Sequence, residues 1–280
     1  MRPAAPGRLL NRGAARLGAI AFPCAMPIAN ALIPGAKAAP GALCHRRAAP
    51  AWNILYLMCE RYVLPDRDVA ERALAPECKW WRFAASFNVA PSRYVPAVRL
   101  FEGRSEAVMM RWGLIPAWAH GDVSVAQWLR LSRDSLEDSP LFRGPWLNGR
   151  RCILPFAGFY TWRLTPERYR QPYFVHLSGR SVFPVAGIWD CTETDDGDAT
   201  EGCAILTVPT SAGPESIQTQ MREMPAILSP EDCEAWPRGT PVEARALLRT
   251  APDARLESHA VSPRINSLAC DDAGLVQPVG

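Results

Sequence analysis

Three stretches carry residue types that could do chemistry. Met58-Cys59-Glu60-Arg61 sets a thiol, a carboxylate and a guanidinium in succession at what reads as the start of a domain. Met110-Arg111-Trp112-Gly113-Leu114-Ile115-Pro116-Ala117-Trp118-Ala119 places two indoles around a Gly/Pro-rich turn. Arg151-Cys152-Ile153-Leu154-Pro155-Phe156-Ala157-Gly158-Phe159-Tyr160-Thr161-Trp162 is dense in rings. Rings beside Arg61, Arg111 and Arg151 are the parts of a platform for single-stranded nucleic acid, with rings under the bases and guanidinia at the phosphates. The same rings would also serve as core packing.

Other familiar chemistry is missing. The sequence has no GxGxxG, P-loop or GxSxG motif. It has no HExxH and no Cys/His cluster with zinc spacing, so no metal and no cofactor are expected. Asp195-Asp196-Gly197-Asp198 lacks the spacing and final Glu of a calcium loop and reads as a solvated turn. His45, His120, His176 and His259 are scattered, and His176 falls inside a predicted strand.

The elements that must position these groups are mostly strands. Ile54–Leu64, Tyr94–Leu100, Ala107–Leu114, Pro172–Leu177, Val182–Trp189, Gly202–Val208 and Leu256–Val261 have strand character, and Cys152–Trp162 reads as one buried strand. Turns fall at Glu102–Ser105, Ser178–Arg180 and the acidic Thr192–Glu201. Helices are predicted over Asp66–Leu74 and Val123–Glu137, after Ser229-Pro230-Glu231-Asp232, and over Pro241–Arg249. Many strands with a few helices predict an α+β domain with a largely antiparallel, barrel-like sheet.

Charge is distributed unevenly. Of 31 basic and 28 acidic side chains, seven basic and no acidic ones lie in residues 1–57, which leaves 24 against 28, a net −4, in residues 58–280. Bulk charge therefore excludes a basic nucleic-acid binder, and any such contact must use a local patch. Residues 1–52 are rich in Ala, Pro, Gly and Arg without a helical or strand period, and the domain is expected over 53–280. The leader reads as a transit-like segment, an unstructured tail, or sequence upstream of a true start at Met58. Its least polar stretch, Leu17–Ala36, is interrupted by Pro23, Pro27 and Pro34, so no membrane span is expected. Nine cysteines without CxxC spacing suit buried, reduced thiols in a cytoplasmic protein.

Eight segments taken together resemble the SOS-response-associated peptidase (SRAP) family of abasic-site processing proteins. They are MCERY (58–62), FNVAP (87–91), MRWGLIPAWA (110–119), RCILPFAGFYTW (151–162), FPVAGIWD (183–190), ILTVPTSA (205–212), MPAIL (224–228) and VSPRIN (261–266). The resemblance covers essentially residues 58–280 and implies a single SRAP-like domain with a few peripheral helices. As a family trait it implies a substrate class, single-stranded DNA with abasic sites, bound by a monomer associated with the nucleoid. In the family, removal of the initiator Met leaves Cys with both a free α-amine and a thiol. These react with the ring-opened aldehyde, first as a Schiff base and then as a thiazolidine. Cys59 is the matching catalytic residue, and the match favours a start at Met58, because an internal Cys59 has only an amide nitrogen.

The resemblance also assigns DNA contacts to Arg61, Asn88, Pro91, Arg111, Trp112, Trp118, Arg133 and Arg151. Several family positions are replaced. Glu60 stands where the family has Gly, which sets a negative charge where phosphate would approach. The family's Asn falls on Arg130; its Arg falls on Ser132, or on Arg133 with a one-residue gap. Its active-site Glu falls on Thr161 and its active-site His on Met221. Thr and Met cannot relay protons at neutral pH, so ring closure and lyase chemistry should be slower. The family name's peptidase role is expected to be self-removal of the initiator Met, since no nucleophile–base pair for general peptide hydrolysis is present. Three outcomes stay open: a crosslinking protein, a single-stranded DNA-binding module without catalysis, and a scaffold serving another partner.

Overall fold

The computed structural model describes residues 58–115, 128–193, 199–210, 221–249 and 256–279, and of Met58 and Cys59 the backbone alone. The chain divides into two units, Met1–Ala51 and Trp52–Gly280, and the description concerns the second. Trp118 and the first five residues of Val123–Glu137 lie outside the described residues.

Twelve strands are described: β1 Met58–Leu64, β2 Ser86–Val89, β3 Tyr94–Phe101, β4 Arg104–Trp112, β5 Arg130–Ser132, β6 Arg151–Phe156, β7 Gly158–Leu164, β8 Arg170–Leu177, β9 Phe183–Glu193, β10 Ala199–Pro209, β11 Glu223–Pro225 and β12 Leu256–Ala260. Four short helices accompany them: α1 Arg67–Leu74, α2 Arg143–Leu147, α3 Asp232–Arg238 and α4 Pro241–Leu247. The architecture is α+β, dominated by strands.

One sheet closes on itself. β10, β4, β3, β6 and β9 are hydrogen-bonded in that order, and β9 returns to β10. A ring of five strands cannot be antiparallel throughout, because each antiparallel step reverses direction and an odd number of reversals does not close. The one parallel step here is β4 with β10, at Gly202↔Arg111 and Cys203↔Trp112. β5 and β11 pair with β10 alongside this ring. The second sheet runs β12-β8-β7-β1-β2 and is antiparallel at every pair.

The main core holds the barrel lining together with one face of the second sheet, through Tyr62, Leu64, Phe159 and Val175. The other face of that sheet presents Val63, Tyr160 and Phe174 to a smaller core. A strap from Val261 to Val276 covers this face with Val261, Ile265 and Leu275. Every described core residue lies between Tyr62 and Val276.

The structure corrects two sequence expectations. Cys152–Trp162 is two strands in two sheets. At Ala157 the chain leaves the barrel, and its amide donates to Val63 O at 2.8 Å to enter the second sheet. Gly158 makes the corner possible, since a Cβ there would stand 2.3 Å from the Phe174 ring and 2.8 Å from Val175 O. Gly158→Ala should therefore lower stability by about 1–3 kcal/mol, read as a lower urea midpoint at unchanged m. The second correction concerns Val123–Glu137, predicted helical. Its described C-terminal part is β5 followed by the 3-10 turn Arg133–Ser135. Pairing to β10 overrides local helix propensity there.

Candidate active site

The start of β1 is irregular where the chemistry is expected. Met58 pairs with Thr161 and Tyr62 with Phe159, so Cys59, Glu60 and Arg61 together face only Tyr160. This is a bulge, and a bulge re-aims side chains that a regular strand would send to opposite faces. Glu60 and Arg61, although consecutive, both line one pocket of about 320 Å3 with Trp162, Arg170 and Asn266. Arg61 donates from Nη1 to the Glu60 carbonyl at 2.8 Å. Burial pulls its guanidinium down from the usual value and the Glu60 charge opposes that shift, so it remains a cation. Its Nε is sealed from solvent without an acceptor.

The far wall comes from the strap. Trp162 Nε1 donates to Asn266 Oδ1 at 3.0 Å, and Asn266 ends the 3-10 turn Pro263–Asn266. Asn88 holds this turn in place. Its amide nitrogen donates to the carbonyls of Ser267 at 3.0 Å and Cys270 at 2.8 Å, and more distantly to Ile265. Asp271 accepts from Phe87 N and Ser86 Oγ nearby. Tyr160 OH donates to Phe87 O at 2.7 Å, and burial raises its phenol well above the usual value, so it stays neutral.

The other predicted site residues are dispersed. Trp112 is 0% exposed and donates from Nε1 to Leu129 O, so it is core and not a stacking surface. Arg151 is 1% exposed. It donates to Gly239 O at 2.7 Å and lies against the rings of Trp146 and Trp236 at 4.8 and 5.8 Å, out of reach of a phosphate. Asn88 is buried and spent on the strap. Arg133 donates to Leu248 O at 2.8 Å and so ties β5 to the end of α4. Arg111 belongs to the barrel and donates to Gly113 O and Ser92 Oγ, close to the half-buried Pro91.

Apart from Glu60, the replaced positions Arg130, Thr161 and Met221 are not among the pocket's lining residues. Thr161 and Met221 are each 1% exposed, and strand alternation puts Thr161 on the Phe159 face, opposite Tyr160 and Trp162. Met221 packs in the main core, and its carbonyl accepts from Thr210 Oγ1 at 2.7 Å. Arg130 opens β5 opposite Ile205 of β10.

Sequence reasoning missed Arg170, Asn266 and Glu223. Glu223 brings a carboxylate to β11, which lies against β1, and accepts from the fully buried Thr207 at 2.9 Å. Its signal was an acid directly before Met224-Pro225. Arg170 and Asn266 carry no motif that would place them beside Trp162. Burial raises the thiol pKa of Cys152 well above normal and that of Cys203 to about 12, so these cysteines stay neutral and unreactive. Among the described residues, no three His, Cys, Asp or Glu side chains converge as a metal would require. No described helix is long and apolar enough to cross a membrane.

Residues 58–268 match the family model of the SOS response associated peptidase (SRAP). The chain belongs to the SRAP family. The SRAP match starts at Met58, the residue that opens β1. Relatives include the abasic site processing protein YoqW of Bacillus subtilis, 30% identical over 219 residues that span 75% of this chain and 95% of that protein. The abasic site processing protein HMCES of Gallus gallus is 27% identical over 245 residues, spanning 76% of this chain and 72% of its own. A solved structure from Bacteroides thetaiotaomicron has the same fold, with a TM-score of 0.67 and 23% identity. It is covered over 100% of its length by 79% of this chain.

Proposed function

We propose that this SRAP protein acts in the DNA-damage response on abasic sites in single-stranded DNA, and crosslinks to them through Cys59 once Cys59 is N-terminal. The observation that carries the reading is the bulge. It brings Glu60 and Arg61, the two residues that follow Cys59, to one pocket, in a chain whose relatives are named for abasic-site processing. The neutral α-amine adds to the ring-opened aldehyde, and the carbinolamine loses water to give an iminium ion. The thiol then adds to the iminium carbon and surrenders its proton, which closes a thiazolidine. Across the sequence one water leaves and no electron is transferred. Arg61 supplies a fixed positive charge for a flanking phosphate, and Trp162 a ring for a flanking base.

Intact mass after incubation with an abasic oligonucleotide tests this. The Cys59-terminal protein should give an SDS-stable species with the summed mass less one water. Cys59→Ser should give none, while a Schiff base trapped by borohydride persists. Absence of any adduct from the Cys59-terminal protein overturns the reading. A second reading, a binding module without catalysis, is favoured by the burial of Thr161 and Met221. It requires salt-dependent binding of single strands in the absence of an adduct.

A further inference from the structure

Glu60 is the pocket's own acid. Two lining residues, Arg61 and Arg170, are cations, and Trp162 and Asn266 do not titrate at neutral pH. Thr161 lies on the opposite face of its strand and Met221 in the main core, and neither transfers protons. Across the neighbouring strand pair, Glu223 already accepts from Thr207. Arg61 donates to the Glu60 backbone carbonyl, so this hydrogen bond leaves the carboxylate of Glu60 uncommitted. The bulge brings Glu60 to the lining of the cavity, one residue from the nitrogen of Cys59.

We propose that Glu60 is the proton-transfer residue of this protein, serving the amine of Cys59 in the imine step. The inference rests on the reading above. The carboxylate takes a proton from the ammonium, which frees the nitrogen lone pair to attack the aldehyde carbon. The protonated carboxyl then gives that proton to the carbinolamine hydroxyl. Water departs, the nitrogen lone pair forms the C=N bond, and the carboxylate is regenerated. When the thiol adds, the same carboxylate accepts its proton. The charge that disfavours nearby phosphate is, on this account, the group that moves protons.

The test uses the chain cut to begin at Cys59, the form that the reading above requires, and compares two aldehydes. Free 2-deoxyribose is uncharged and removes phosphate repulsion from the measurement. An abasic oligonucleotide retains it. With 2-deoxyribose, Glu60→Gln should slow adduct formation about 100-fold. Glu60→Asp should keep part of the rate, and added acetate should restore part of the rate lost in Glu60→Gly. A purely repulsive role predicts the reverse for the oligonucleotide, a faster Glu60→Gln. If Glu60→Gln matches or exceeds the parent with 2-deoxyribose, or acetate restores nothing, the role of Glu60 is overturned while the Cys59 chemistry stands. If the parent forms no adduct with either aldehyde, the Cys59 reading fails and this inference falls with it.

Discussion

Protein that retains residues 1–58 should give no covalent adduct with an abasic oligonucleotide, whereas the same protein cut before Cys59 should be converted almost completely. The effect is all-or-none because it concerns which atom is available. Within the chain, the Cys59 nitrogen is an amide whose lone pair is delocalised into the carbonyl, and it cannot form a stable imine. As a chain end it becomes an amine that titrates near pH 7.7–8.0 by ordinary values, about the pH of a cell. Only the neutral form reacts, so the rate should climb from pH 6 to pH 8 and level off above the amine's pKa. Denaturing electrophoresis across that range reads both effects. A stable adduct formed by the uncut chain would mean that the nucleophile is a different group.

Arg151→Ala is expected to be strongly destabilising, by about 3–5 kcal/mol, although the resemblance makes Arg151 a DNA contact. The side chain is 1% exposed, fills the space between Trp146 and Trp236, and satisfies the Gly239 carbonyl that follows α3. Truncation leaves a cavity, an orphaned acceptor and two indoles without their partner. Nε and Nη2 of Arg151 are themselves buried without acceptors, and burial lowers the guanidinium pKa. Arg151→Met, which keeps most of the volume and removes that unsatisfied charge, should accordingly cost far less than Ala. Urea unfolding of the three proteins orders them as parent, Met, Ala. An Arg151→Ala protein of parental stability but weakened DNA binding would return Arg151 to the DNA surface.

The strands β3, β4, β8 and β12 follow from sequence because their alternation and turn residues are local. The Thr240/Glu243 capping box likewise announces α4 from four consecutive residues. The division at Ala157 was not legible, since a continuous apolar run looks the same whether it serves one sheet or two. β5 was hidden for a similar reason, because three residues become a strand only when β10 is beside them. For the site, Cys59 and Arg61 were marked by their neighbours in sequence, and Glu60 was read only as an electrostatic penalty. Its place in the pocket depends on a bulge, which is visible only once the register with β7 is known. Arginines at motif positions look alike in sequence, yet burial separates Arg61 at a pocket from Arg151 in a core.

The pocket joins Glu60 at the opening of the domain to Asn266 near its end, with the strap pinned by Asn88 between them. During synthesis the Cys59 end would therefore leave the ribosome long before the strap that completes the pocket beside it. For that interval Cys59, if already terminal, is an ordinary solvent-exposed aminothiol, open to any small metabolic aldehyde. Completion of the strap is the event that builds a pocket next to that reactive chain end. Residues translated late in the domain thus set when the pocket beside its opening residues is finished.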